Sequence, residues 1–365
     1  IYEYPMQQGG GNDGRPYSFG RPSSGGSKAA YPCKSYGQGR INPAYFYGVF
    51  DPNDMRRDVS ITMTGSNGKG VEKLIPFVPN SKAEGGGLTL NKWDENRQAN
   101  PWVAAQRKSG INGPYMRMSE VYLGYAEVCA ALGDVVTGKQ YLKTVRERSF
   151  PQGLANTDAF IASFGNDLVR AIIEERGFEY AGEGDRRWTL IRSGYLPEDI
   201  KRIKDMTKAM MDGLATKGYY EFENGNIISA YIWTKLVDAK TIYGHRLTAQ
   251  CPTDKVNDPV LYPGWRGQKD NWEEMGLNYG SSTPATNLAI KGLFEIVSEE
   301  EAASLESQGY TKVNWGIDLV DNRDEYDKYL FWDYDYVSAP IYLWPFTPNV
   351  MAAGGFTNGY GFKQE

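Results

Sequence analysis

Apolar positions in the middle third of the chain recur with a period that only a helix satisfies. Met118, Tyr122, Tyr125, Cys129 and Leu132 fall at i, i+4, i+7, i+11 and i+14, which predicts a helix with these residues as its buried stripe. Gly133-Asp134 then breaks the run. A second amphipathic run carries Tyr141, Leu142 and Val145 on its apolar side and Lys143, Arg146, Glu147 and Arg148 on the other, and Pro151 closes it. Two antiparallel helices within roughly 34 residues make a unit the size of a tetratricopeptide repeat, and the same spacing fits a generic helical hairpin. No second copy is visible. Such units cover their apolar faces with neighbours, so the pattern predicts further units outside this segment.

Asn166 or Asp167 is placed to cap the next helix, in which Val169, Ile173, Arg176 and Tyr180 share one face while Glu174, Glu175, Glu179 and Glu183 lie elsewhere. Arg186-Arg187-Trp188 begins a shorter helix that Gly194 ends. Pro197-Glu198-Asp199 opens another, through Ile200, Ile203, Met206 and Met210 to Gly213. Ile227 to Leu236 reads as extended, Pro252 to Pro284 as a long loop, and Ser298-Glu299-Glu300-Glu301 as a capping-box start for a helix stopping near Gly309. Before about Gly113 the chain is full of Gly and Pro, which predicts long loops joining short extended pieces. Tyr17, Tyr31, Tyr36, Tyr45, Phe46 and Tyr47 argue against simple disorder there, since disordered segments are poor in aromatics. The expected architecture is mainly α: a loop-rich segment 1–114, a helical core 115–215 and a mixed region 216–365, together one domain with helical pairs, long irregular loops and a few short strands.

Composition removes several function classes. The 365 residues carry 40 basic and 45 acidic side chains, a net charge of −5, so no electrostatic footprint for nucleic acid exists. No apolar run approaches the roughly 18 to 20 residues that cross a bilayer. The chain opens at Ile1 without the order of a secretory signal and reads as a piece of a longer product. Cys33, Cys129 and Cys251 are scattered, fitting neither a disulfide framework nor a zinc site, and His245 is the single histidine. No Gly-x-Ser-x-Gly turn, Walker loop or dinucleotide fingerprint is present, and no cofactor or metal is expected. Paired acids remain: Glu175 and Glu179 lie one helical turn apart, and Asp333 and Asp335 would share one side of a strand. A glycoside hydrolase needs only two such groups, but Glu175 and Glu179 flank Arg176 and read as an ion-pair face.

The aromatic content, 26 Tyr, 14 Phe and 9 Trp, is the stronger lead. Sugar rings present C–H faces that stack on indole and phenol rings, while their hydroxyls need polar partners. Trp93 and Trp102 have Asn91, Asp94, Asn96 and Arg97 nearby in sequence. Trp265 and Trp272 have Arg266, Gln268, Asp270 and Asn271. The combination suits a carbohydrate platform, and it equally suits a protein interface or a small core under a loop.

Several segments together resemble the SusD/RagB family of cell-surface nutrient-binding proteins. Met116 to Glu127, reading MRMSEVYLGYAE, is similar to the family's Arg-x-x-Glu-Val-x-Leu-x-Tyr-Ala-Glu helix, with Leu132-Gly133-Asp134 as the following turn and Val145-Arg146-Glu147-Arg148 in the next helix. Ile172 to Gly194, reading IIEERGFEYAGEGDRRWTLIRSG, resembles its most recognisable stretch. Phe50 to Arg57, Leu343-Trp344-Pro345-Phe346 and Asn358-Gly359-Tyr360 resemble further family segments. Departures are Val350, where the family has Glu, and the long stretch from Thr253 to Arg323. The resemblance implies a mostly helical fold with tetratricopeptide-like pairs, binding without turnover, and a glycan ligand. It also implies a SusC-like TonB-dependent transporter as partner and a place on the outer-membrane surface through a lipid outside this segment, since Cys33 lies too deep to be the anchor. Glu127, Glu175, Arg176, Arg187 and Trp188 would then be structural, as packing rings and buried ion pairs. Ligand contacts would come from variable aromatic loops: Tyr31, Tyr36, Trp93 and Trp102 first, then Trp265 and Trp272, which could instead face the transporter. The competing readings are a glycoside hydrolase and a protein-protein assembly scaffold.

Overall fold

Helices begin in this chain where a side chain occupies the backbone donors that a first turn leaves open. Asp54, Asp134, Asn156, Asp167 and Ser298 each accept a hydrogen bond from a backbone N–H two or three residues on, and each opens a helix. The computed structural model describes residues 2–7, 40–66, 72–74, 77, 87–93, 110–150, 153–238, 286–324, 342, 346–355 and 357. Within them the fold is mainly α, as the sequence pattern predicts, with short strands.

β1 (Tyr2–Tyr4) leads to a π-helical turn at Tyr45–Val49, α1 (Met55–Ser60) and the short strands β2 (Ile61–Thr62), β3 (Thr64–Ser66), β4 (Glu72–Leu74), β5 (Thr89–Leu90) and β6 (Gly113–Met116). A run of helices follows: α2 (Met118–Ala131), α3 (Val135–Glu147), α4 (Thr157–Ala162), α5 (Leu168–Glu179), α6 (Asp185–Ser193) and α7 (Leu196–Lys217). The rest is β7 (Tyr219–Glu221), β8 (Ile227–Ser229), β9 (Tyr231–Asp238), β10 (Thr286–Lys291), α8 (Glu299–Ser307), β11 (Thr311–Asn314), α9 (Gly316–Asp321) and α10 (Pro348–Gly354). β9 is the centre of a three-stranded antiparallel sheet, with Ile290 of β10 and Thr311 of β11 opposite Thr234. β1 with β6, β2 with β5, β3 with β4 and β7 with β8 form two-stranded pairs.

The predicted helical hairpin is α2 and α3, but its buried stripe is rotated from the expected one. Ser119, Leu123, Ala126 and Cys129 face inward, and of the predicted set only Cys129 is buried. Met118, Tyr125 and Leu132 stand 56%, 51% and 82% exposed. The reason is a close crossing. A Cβ built on Gly138 of α3 would lie 3.0 Å from the carbonyl oxygen of Ala126 and 3.2 Å from the amide nitrogen of Ala130, so only small residues fit the contact and the large ones turn outward. Leu123, Ala126, Leu142, Val145, Ile161, Leu168, Ala171 and Ile172 then form one core among α2 to α5. Arg146, expected on the polar face of α3, is buried to 2% exposure.

A second core joins the beginning of the chain to its later half. Phe46, Tyr47 and Phe50 pack with Ile61, Phe178, Met210, Leu214, Phe222, Ile232, Phe294 and Trp315. The expected loop before residue 113 therefore contains a structured piece, and hydrogen bonds from distant residues complete it. Asn224 and Asn226 donate side-chain N–H groups to the Tyr47 carbonyl at 2.8 and 2.7 Å, and Trp315 Nε1 donates to the Tyr47 hydroxyl at 2.9 Å. Buried Arg57 lies 4.0 Å over the Phe294 ring. The stop predicted at Gly213 falls one turn early, since α7 runs to Lys217 and ends at Gly218. Gly213 serves instead to admit the next hairpin: a Cβ there would meet Tyr220 Cδ2 at 2.7 Å.

The rotated stripe is testable by urea unfolding. Gly138→Leu overfills the α2–α3 crossing and lowers stability by about 2 kcal/mol, whereas Leu132→Ala at the exposed position stays within about 0.5 kcal/mol of the parent.

Candidate functional site

The site is framed by α5, whose sequence places three carboxylates where water does not reach. Glu174, Glu175 and Glu179 are at most 2% exposed, because α1, α2, α3, α4 and α6 all pack around this helix and leave it little solvent face. The expectation that these acids sit away from the buried face is thereby corrected. Each is surrounded by guanidinium groups from other elements. Arg56 Nη1 lies 2.6 Å from Glu175 Oε1 and 3.2 Å from Glu179 Oε2, while its other edge meets Asp54 at 2.7 Å. Arg146 Nη1 reaches Glu175 Oε2 at 3.0 Å, Arg117 Nη1 reaches Glu179 Oε1 at 2.6 Å, and Arg148 also donates to Glu179. Glu174 takes Arg186 at 2.8 Å and Arg202 at 2.9 Å, and Asp199 shares both arginines. Arg146 itself is sandwiched by rings, 3.8 Å from the Phe160 centroid and 4.5 Å from Phe150.

Burial alone would raise the pKa of Glu174 and Glu179. Arg186 and Arg202 around the first, and Arg56, Arg148 and Arg117 around the second, overcome that penalty and hold both carboxyls at about 2, against the usual 4.5. A carboxyl ionised down to that pH has no proton to donate near neutrality, and its lone pairs are already occupied. The distances of these pairs bear out the ion-paired reading of Glu175 and Glu179 and extend it to Glu174. Arg176 pairs with Asp185 at 2.6 Å, and Glu127 pairs with Arg192. Trp188, expected as a packing ring, is instead 53% exposed.

Against the C-terminal end of α5 lies a cavity of about 630 Å³. Tyr180 to Gly184, the turn between α5 and α6, makes its floor, and it opens where exposed Arg40 and Gly184 line it. Trp93, just past β5, forms one wall. The ring is 8% exposed and its Nε1–H donates to the Gly182 carbonyl at 3.2 Å. The neighbouring Lys92 donates to the Glu179 carbonyl at 2.8 Å and pairs with Glu183, which pins this strip to the turn. Tyr45 lines the cavity from the π-helical turn, and its hydroxyl donates to the Gly177 carbonyl at 3.4 Å. Tyr180 gives a further aromatic wall. Its hydroxyl donates to Ser119 Oγ at 3.2 Å, and burial pushes its pKa up to about 12.

Of the residues singled out from sequence, the structure brings Trp93 to this cavity. Tyr31, Tyr36, Trp102, Trp265 and Trp272 lie outside the described residues, as do Asp94, Asn96, Arg97, His245, Asp333 and Asp335. Asn91, proposed to order sugar hydroxyls, is fully buried. Tyr45, Tyr180 and the turn at Gly182 and Gly184 were missed as cavity residues. The available signal was two glycines flanking Glu183, which adopt φ of 79° and 88° and mark a turn of small residues where space can remain. Among the described residues no cluster of His, Cys, Asp and Glu could hold a metal ion, and no helix is long and apolar enough to cross a membrane.

The SusD family description matches residues 1–345. The chain belongs to the SusD family. Among curated relatives, SusD-like protein P25 of Formosa agariphila is 28% identical over 160 residues, 44% of this chain and 26% of that protein, so the match spans about a quarter of the relative. No solved structure matches the chain. In this SusD-family chain the recognisable stretch Ile172 to Gly194 is the ion-paired frame itself: it supplies Glu174, Glu175, Arg176, Glu179, Asp185 and Arg186 to the buried pairs.

Because the folded carboxyls titrate at about 2 rather than the usual 4.5, their contribution is complete above pH 4.5 and is lost as pH falls toward 2. Urea midpoints measured from pH 7 to pH 2.5 fall along that limb. Glu179→Gln leaves three guanidinium groups without their shared anion, lowers stability at pH 7 by about 3 kcal/mol, and flattens the acid limb relative to the parent.

Proposed function

We propose that this SusD-family chain binds oligosaccharide at the outer-membrane surface and delivers it to a TonB-dependent transporter without cleaving it. The observation that carries the binding reading is the family match over residues 1–345, joined to an aromatic-walled cavity whose neighbouring acids are committed to structure. Glycoside hydrolysis needs one carboxyl that holds a proton near neutrality and a second free to attack or activate water. Glu174 and Glu179 are held anionic, and Glu183 at the cavity edge is bound by Arg117 and Lys92. These pairings favour binding over the hydrolase reading. Family membership favours the transporter as the partner to which ligand passes, and a lipid outside this segment as the means of membrane attachment.

In this proposal Tyr31, Tyr36 and Trp102 stack the sugar rings, Trp93 contributes as one wall of the cavity, and Trp265 and Trp272 form a second ligand surface. A glycan array followed by isothermal titration tests it. At least one polysaccharide class binds the parent chain, and Trp102→Ala weakens it by about 1 kcal/mol or more, the effect of losing one stacked ring. Release of reducing ends from the bound glycan would instead establish a hydrolase. Absence of any glycan binding, with a transporter still captured, would establish an assembly scaffold.

A further inference from the structure

The cavity beside Trp93 has a wall chemistry that a bare sugar ring does not satisfy. A pyranose carries several hydroxyls, and each needs a hydrogen-bond partner when it leaves water. Among the described residues, most of the polar side chains lining this cavity are engaged by the fold; Arg186 Nε is a buried donor that no hydrogen bond takes, and Arg40 and Arg187 add two further guanidinium groups to the lining. Trp93 Nε1–H is held by the Gly182 carbonyl, and the Tyr45 hydroxyl donates to the Gly177 carbonyl. Asn42 Oδ1 accepts from the Ala44 amide at 2.8 Å, while its Nδ2 donates to Thr207 Oγ1 at 2.9 Å. Arg186 directs Nη1 to the Ile173 carbonyl and Nη2 to Glu174 and Asp199. Glu183 accepts from Arg117. Most of the lining is nevertheless apolar: the rings of Tyr45, Trp93 and Tyr180, and the side chains of Ile61, Leu90 and Ile203.

A volume of about 630 Å³ lies within the range of small-molecule sites. Apolar aromatic walls select a flat ring, and an opening beside exposed Arg40 and Gly184 lets a hydroxyl-rich portion stay in water. We infer that this cavity receives an aryl substituent carried by the glycan, either an aromatic ester or an aryl aglycone, while the sugar itself rests at the mouth. The inference rests on the glycan-binding reading and specifies which part of the ligand enters the protein.

The test titrates phenyl β-D-glucopyranoside, methyl β-D-glucopyranoside and methyl ferulate into the full chain, with saturation-transfer NMR identifying the ligand protons nearest the protein. The two aryl probes bind at least about tenfold more tightly than the methyl glycoside, as burial of one ring implies, and saturation is strongest on the ring protons. Ile203→Trp fills the cavity and removes that preference. Equal affinity for the phenyl and methyl glycosides, absence of aryl binding, or undiminished aryl binding by a folded Ile203→Trp overturns the inference. Should Ile203→Trp fail to fold, Ala181→Leu narrows the same space from the turn and is read in the same way. A polysaccharide array on the same preparation separates the two readings. Polysaccharide binding without aryl preference removes this inference alone. Aryl binding without any polysaccharide binding removes the glycan reading and leaves the cavity an aryl site.

Discussion

Three carboxylates on one enclosed helix leave water only if cations leave with them, and that requirement organises the molecule. Glu174, Glu175 and Glu179 draw Arg56 from α1, Arg117 from the entry to α2, Arg146 from α3, Arg186 from α6 and Arg202 from α7 onto α5. A buried ion pair adds less net stability than its Coulomb energy suggests, because both partners must be desolvated. It is demanding about geometry, however. A carboxylate left without its arginine in this interior is strongly unfavourable, so each of these elements has one position in which the charges balance.

The same constraint explains why the cavity persists. Its floor is the turn that follows α5, and that turn is held at both ends: Lys92 and Arg117 bind the Glu179 carbonyl, and the Trp93 indole binds the Gly182 carbonyl. At Gly184 a Cβ would meet nothing within 4 Å, so the turn leaves open space there, whereas at Gly182 the Leu90 side chain approaches to 3.2 Å. A pocket fixed by hydrogen bonds to its own walls needs little reorganisation when a ligand enters, which is where much of the cost of binding otherwise arises. Its lining is mostly apolar and aromatic, and that is the basis for assigning it a flat apolar guest rather than a sugar ring.

Much of the helical order was legible in the sequence because it depends on local chemistry. Asp167 and Ser298 cap where they were expected to, Gly194 ends α6, and the hairpin of α2 and α3 lies where the apolar spacing places it. Trp93 was legible as a notable ring, yet its burial and the identity of its companions were not. Tyr45 and Tyr180 lie 135 residues apart in the chain, and nothing in the spacing of either connects them. The face of α2 was misread for a related reason. Hydrophobicity alone nominates the largest apolar residues as buried, whereas the crossing at Gly138 selects Ala126 and Ala130 for their size.

By itself, then, the sequence determined where helices start and stop, the mainly α character and the motif that marks the SusD family, because caps, breakers and periodicity act over a few residues. Tertiary structure decided which faces are hidden, which arginine neutralises which glutamate, and where a cavity remains. Those outcomes depend on the distance of approach between elements far apart in the chain. One glycine or one buried carboxylate on a neighbouring helix reverses the preference that local composition suggests.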